Sequence, residues 1–217
     1  MIEQITVGAL GVNTYFVIDE KTKEGIVIDP GAQAERILDK IKDNEWEIKL
    51  ILLTHGHYDH IGAAQEIKKE LGCDIIAHEN AREYLEDAEI NLSTVFGGVK
   101  VELEADKYIT EDRASYEDLL KVLPDELSFQ VLHAPGHTTD SILFYFKNYN
   151  AAIVGDVIFR ESIGRADLYG GNITTLINSI KTKVFTLEDD TVLYPGHGPA
   201  TTVIHEKNNN PYFNMDF

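Results

Sequence analysis

The 217-residue chain has a single cysteine, Cys73, so it cannot form an internal disulfide, and a reducing compartment is expected. Cys73 lies between a helical stretch and the apolar run Ile75-Ile76-Ala77, and reads as a buried structural thiol. No segment approaches the roughly 20 apolar residues of a membrane span. The start, Met1-Ile2-Glu3-Gln4, lacks the positive charge and apolar core of a secretory signal. The expectation is a cytoplasmic protein with no membrane partner. Basic residues are scarce as well. There are 19 Lys and Arg against 37 Asp and Glu, a formal charge of −18, and the cations are scattered, Lys68-Lys69 being the densest pair. Such a surface repels phosphate backbones, which argues against a nucleic-acid partner.

What is present is an ordinary globular composition, 43% hydrophobic and 26% charged, read as one domain over residues 1–217. Strands are expected at Asn13 to Asp19 and Gly25 to Asp29, the second ended by Pro30-Gly31. Apolar residues at 34, 37, 38 and 41 predict a helix over Gln33 to Asn44. Ile48 to Leu53 reads as a strand buried on both faces. Ile61 to Leu71 reads as a helix and Asp74 to Ala77 as a short strand. Ala81 to Glu89 suggests an acidic helix, Asn91 to Gly98 a loop, and residues 78–124 together an excursion that partly covers a site. The β pattern returns at Leu127 to His133, Ser141 to Lys147 and Ala151 to Val154. A helix over Thr174 to Val184 and a strand over Thr191 to Tyr194 follow, and Asn208 to Phe217 is a polar and aromatic tail. The order predicts an α+β protein in which two β-rich halves stack their sheets, with helices outside.

Directly after the strand at 48–53 comes Thr54-His55-Gly56-His57-Tyr58-Asp59-His60. Three imidazoles and a carboxylate so close together would repel when protonated and need partners when neutral and buried. A divalent metal resolves both problems, because zinc and iron take imidazole nitrogen and carboxylate oxygen. His55 and His57 project the same way from an extended segment, while Asp59 and His60, where a helix begins, can face a second ion. His137, Asp156 and His197 each follow a strand end, and each has a glycine immediately before it. If those strand ends share one edge, all seven side chains converge there. His78, His133 and His205 lack this context and are read as structural or surface residues. Asp29 is read as a turn cap that can also support a ligand from behind.

The run His55-Gly56-His57-Tyr58-Asp59-His60, with Gly136-His137-Thr138, Gly155-Asp156 and Gly196-His197-Gly198 in order, resembles the metallo-β-lactamase superfamily. Within it, Gly155 to Phe159, Ser162 to Leu168 and Tyr194 to Pro199 resemble the compact glyoxalase II-like (hydroxyacylglutathione hydrolase-like) branch. The resemblance implies a four-layer αββα sandwich. His55, His57 and His137 would hold one metal, Asp59, His60 and His197 another, and Asp156 would bridge them. Two divalent ions are expected, zinc first, with iron or manganese as alternatives. The implied activity is hydrolysis of a small-molecule thioester, S-lactoylglutathione or a related acyl-thiol, by a hydroxide bridging the metals. Asp59 would orient the nucleophile or take its proton, and Arg165 would meet an acidic substrate group or pair with one of the many carboxylates. An iron-dependent persulfide dioxygenase and a β-lactam or phosphodiester hydrolase are the alternatives on the same scaffold. A homodimer stays open.

Overall fold

The computed structural model describes residues 1–214. β1 (Ile2–Val7) and β2 (Val12–Ile18) form a hairpin, and β2 pairs antiparallel with β3 (Glu24–Ile28). The helix α1 (Ala34–Asp43) buries Ala34, Ile37 and Ile41, spaced by three and four residues, and returns the chain to β4 (Glu47–Leu52), parallel to β3. α2 (Tyr58–Ile61) and α3 (Ala64–Leu71) lead to β5 (Asp74–His78). After α4 (Arg82–Leu85), β6 (Lys107–Ile109) completes a six-stranded sheet in the order β1 to β6. α5 (Glu117–Leu120) precedes the second sheet, whose order is β13-β12-β9-β8-β7. Its strands are β7 (Gln130–His133), β8 (Ile142–Phe146), β9 (Ala151–Gly155), β12 (Val192–Pro195) and β13 (Thr201–Thr202). The small hairpin β10 (Ile158–Phe159) and β11 (Ser162–Ile163) and the helix α6 (Ile173–Ser179) lie between β9 and β12. α7 (Val203–Asn209) and α8 (Pro211–Asn214) follow β13.

Three apolar clusters separate four layers. Alternate residues of each central strand point to opposite faces. Tyr15, Val17, Ile26, Ile28, Leu50 and Leu52 of the first sheet meet Val131, Ile142, Phe144, Phe146 and Ile153 of the second. The intervening Phe16, Val27 and Ile51 face α1 and α3, and Cys73 is buried with them. Leu143, Ala152 and Val154 face Leu176 and Ile180 on the far side. The continuous apolar runs of β4 and β8 are therefore sheet centres with both faces covered, which is the expected αββα sandwich. No described helix is long and apolar enough to cross a membrane.

Several element boundaries differ from the sequence reading, each for a local reason. The helix expected over Ile61 to Leu71 starts earlier and breaks between α2 and α3, where the Ala63 amide donates to Pro30 O at 2.9 Å. The acidic helix expected over Ala81 to Glu89 shrinks to α4. The Asp87 carboxylate accepts from the Glu89 and Ile90 amides at 2.8 and 3.2 Å, a local turn that competes with helix. The helix over Thr174 to Val184 begins at Ile173, capped by the Asn172 side chain, and widens into a π-helical turn from Ile180 to Val184. The edge strands β1 and β6, the β10–β11 hairpin and α7 were not read from sequence. The tail from Asn208 finishes α7 and forms α8, whose Phe213 ring meets Phe185 at 4.8 Å. Residues 215–217 of that tail lie outside the described residues.

Phe144 is fully buried between the sheets, against Phe129. Phe144→Ala is expected to lower the unfolding free energy by about 3–5 kcal/mol in urea denaturation. A loss below about 1 kcal/mol would mean that the intersheet core is not packed as described.

Candidate metal centre

Every side chain singled out as a ligand comes from the turn after a strand. His55 and His57 follow β4, with Asp59 and His60 at the start of α2. His137 follows β7, Asp156 follows β9 and His197 follows β12. Backbone hydrogen bonds stitch these turns across the two sheets. The Ile142 amide donates to Thr54 O at 2.9 Å, Asn13 N to Gly196 O at 2.7 Å, and Gly196 N to Gly155 O at 2.8 Å. Asn13 and Tyr15 add side-chain bonds to Pro195 O at 3.1 and 2.6 Å, and Asn13 also reaches Gly198 O. The loop carrying His197 is thus held by a strand from the other sheet. Gly196 is required by close approach: a Cβ there would stand 2.2 Å from Asp156 Oδ1 and 2.6 Å from His60 Cε1.

The seven side chains do converge: His55, His57 and His137 form one group of three, Asp59, His60 and His197 another, and His55, His60 and Asp156 a third that overlaps both. His57 Nδ1 lies 3.1 Å from His55 Nε2 and 3.0 Å from His137 Nε2. His197 Nε2 lies 3.2 Å from Asp59 Oδ2, which is 3.8 Å from His60 Nε2. Asp156 stands between them, with Oδ1 3.4 Å from His60 and Oδ2 3.7 and 3.6 Å from His137 and His197.

The outward-facing atoms fix the tautomers of His55, His60 and His137, whereas His57 Nε2 is buried without a hydrogen-bond partner. Asp29 accepts from Thr54 N at 2.8 Å, from Thr54 Oγ1 at 2.6 Å and from His60 Nδ1 at 2.9 Å. The Thr54 hydroxyl has only one proton and gives it to Asp29, so it accepts from His55 Nδ1 at 3.1 Å. His137 Nδ1 donates to Arg165 O at 2.7 Å. The Nε2 lone pairs of His55 and His137 therefore both point at His57 Nδ1, which has at most one proton to offer. Among the described residues, His60 Nε2 and Asp156 Oδ1 are also buried with no hydrogen-bond partner. Such a set of inward-facing acceptors fits divalent cations, and the nitrogen and oxygen donors are those zinc or iron takes.

Burial, aided by the other imidazoles, pushes His55 well down and His57 to about 3; burial also lowers His137. Burial opposes ionisation of His60, but Asp156, Asp59 and Asp29 outweigh it and raise its pKa. Burial likewise works against the charged forms of Asp156 and Asp59, yet the neighbouring histidines hold both carboxyls below the usual range. The site is neutral imidazole on one side and carboxylate-rich on the other.

The remaining candidates fall outside the cluster. His78 and His133 stack on each other at 4.2 Å, and His205 pairs with Glu161 at 2.9 Å. Arg165 borders the cleft over the cluster, but its guanidinium forks onto Asp167 at 2.7 and 2.9 Å, while its carbonyl orients His137. The excursion does reach the site, through Leu92 and Phe96. Sequence reasoning missed Asn13 and Tyr15, whose role exists only across the sandwich, and it also missed Asp140.

Asp140 is fully buried, and neither carboxylate oxygen has a hydrogen-bond partner of normal geometry. Burial raises its pKa to about 7, against opposing help from Thr138 and the Gly56 amide. The folded state thus binds this proton more tightly than the unfolded chain. The stability this lends is complete below about pH 4 and is lost as pH rises to about 7. Asp140→Asn is expected to remove that slope. Its stability relative to the parent, followed by denaturation at pH 4, 6 and 8, should rise across the window by up to about 4 kcal/mol and then level off. A difference independent of pH would show that Asp140 does not titrate there.

The same architecture recurs in known proteins. The family model described as the Metallo-beta-lactamase superfamily matches residues 7–197. Hydroxyacylglutathione hydrolase GloC of Haemophilus influenzae is 36% identical, covering 98% of both chains. The crystal structure of the BLEG-1 B3 metallo-beta-lactamase superposes with a TM-score of 0.89 at 33% identity, over 99% of this chain and all of that one. TTHA1623 in a di-iron-bound form gives 0.83 at 30% identity, over 97% and 99%. The chain therefore belongs to the metallo-β-lactamase superfamily, as a metallohydrolase whose His/Asp cluster is fit for divalent metal.

Proposed function

We propose that the protein is a binuclear metal-dependent thioester hydrolase. His55, His57 and His137 hold one ion, Asp59, His60 and His197 hold the second, and Asp156 lies between them. The observation that carries this reading is the pair of three-donor groups with Asp156 between them, where His60 Nε2 and Asp156 Oδ1 are buried without hydrogen-bond partners. Two divalent ions bound there would supply a Lewis acid for the carbonyl and a water acidic enough to ionise near neutral pH. Zinc suits the donor set, and the di-iron form of TTHA1623 supports iron as an alternative. The chain's own residues orient the reaction. Asp29 and Thr54 lock His60 and His55 from behind, and the Arg165 carbonyl locks His137. Asp59, half-buried at the cleft floor, is placed to orient the attacking water or take its proton. A thiolate leaves readily and needs no strong general acid, which matches a floor made of ligands. The name of the Haemophilus relative supports a thioester. The likeness to BLEG-1 makes a β-lactam the second substrate to assay.

Metal content of protein purified without chelators should be about two ions per chain. S-lactoylglutathione hydrolysis should vanish on chelation and return with zinc or iron. One iron per chain, oxygen uptake on persulfides and no thioester cleavage would replace this reading with a dioxygenase.

Gly196→Ala presses a methyl group onto Asp156 and His60. It should cut kcat/KM about 100-fold and lower metal content while leaving the circular dichroism spectrum unchanged. Full metal loading and full activity in this variant would refute the ligand assignment.

A further inference from the structure

The cleft over the metal cluster has a floor of ligands and walls of hydrocarbon. It encloses about 180 Å³ and is bordered by Leu10, Tyr58, Leu92, Phe96 and Leu168. Leu10 and Phe96 are more than half exposed, at 53% and 59%, and Val95 and Val99 beside Phe96 are equally open. Leaving such side chains in water forgoes roughly 25 cal/mol for each Å² they would bury. Clustered exposure of this kind marks a binding surface.

This wall is held firmly. The Asn91 side chain, fully buried, donates to Tyr84 O at 3.0 Å and Val101 O at 2.8 Å, and accepts from the Ser93 amide at 3.0 Å. The Asn91 backbone carbonyl accepts from Tyr58 N at 2.9 Å, tying the turn to α2. Leu92 stands at φ +70°, a left-handed conformation that residues with a Cβ rarely adopt. The backbone bears that strain at a residue that lines the cleft.

Charge points the same way. Among the described lining residues Arg165 is the one arginine or lysine, and Asp167 already occupies its fork. A substrate bearing carboxylates would meet no free lysine or arginine on these walls and would approach a chain of net charge −18.

We infer that the substrate is a thioester free of carboxylates on acyl group and carrier alike, with a short, apolar acyl group seated between Phe96, Leu92 and Leu168 and its carbonyl over the cluster. This deepens the thioester reading and rests on it. The cleft is close in size to an engineered cavity that holds benzene, which suits a short chain. A second copy of the protein fits less well. Leu92 and Leu168 are half-buried inside the cleft, beside His57 and His137, where a flat partner surface does not reach.

The test compares S-acetyl- and S-butyryl-N-acetylcysteamine with S-lactoylglutathione on the zinc-loaded full chain. Calorimetric binding of the uncleavable thioether S-butyl-N-acetylcysteamine is measured in parallel. Two extra methylenes should raise kcat/KM about tenfold from acetyl to butyryl. Both neutral thioesters should exceed S-lactoylglutathione. In Phe96→Ser and Leu168→Ser the butyryl-to-acetyl ratio should fall towards one, and thioether affinity should fall with it. Preference for S-lactoylglutathione, or a ratio unchanged in both variants, would overturn the inference. So would an unchanged ratio accompanied by a dimer-to-monomer shift on sedimentation of Phe96→Ser, which would assign the rim to contact between copies. If no thioester is cleaved, the hydrolase reading fails by itself. Thioether binding lost in the variants would then still support an apolar ligand site, and binding absent from the parent would remove it.

Discussion

The Asp29 carboxylate, in the turn that ends β3, accepts three hydrogen bonds, from the Thr54 amide, the Thr54 hydroxyl and His60 Nδ1. Each has a consequence at the metal cluster. The bond to His60 leaves Nε2 facing Asp59 and Asp156. The bond from the Thr54 hydroxyl uses its only proton, so Thr54 must accept from His55 and turn that lone pair inward. One buried acid therefore sets two imidazole tautomers on opposite halves of the site. The Asp29 side chain is buried, so these three hydrogen bonds are shielded from competing water. The candidate ligands His55, His60 and His137 are preorganised because their outer nitrogens are already committed, so a binding cation need not reorganise them.

Preorganisation also depends on the sandwich. The ligands come from turns at the ends of strands in two different sheets, and side-chain packing alone would let those sheets slide. The hydrogen bonds from Asn13 to Gly196 and from Ile142 to Thr54 fix the offset at the edge where accuracy is needed. Tyr15 contributes to both tasks: its ring lies in the intersheet core and its hydroxyl holds Pro195 O. Stability and site geometry are thus coupled through β2, a strand that carries no ligand.

This coupling explains what was legible in the sequence. His55 to His60 announce a metal because repulsion and desolvation make the run intolerable otherwise, an argument that needs no tertiary structure. The glycine before His137, Asp156 and His197 is equally local. The two-sided strands could be read because a continuous apolar run of strand length is stable only when both of its faces are covered. Asn13, Tyr15 and Asp140 were silent because their meaning lies in contacts far along the chain, Asn13 reaching across 182 residues to Pro195. Helix ends around Asp87 and Ala63 were misplaced for the opposite reason. There a single side chain or carbonyl captures an amide and overrules a helical pattern spread over many residues.

The apolar mouth and the acidic surface act together on the chemistry. Two dications bound above Asp59 and Asp156 would concentrate the positive charge of the site at the cleft floor, inside a chain that is strongly negative outside. A substrate seated against those hydrocarbon walls would displace water there, and the lower local dielectric would strengthen each interaction between the floor and a polarised carbonyl. A charged acyl group would forfeit this gain, because it must shed its hydration against walls that offer no free lysine or arginine. A neutral, apolar one would lose nothing on entry and would meet the positive field at its carbonyl oxygen, where negative charge develops as the nucleophile adds. Selectivity by desolvation and stabilisation of the reacting carbonyl would then be two effects of the same few side chains.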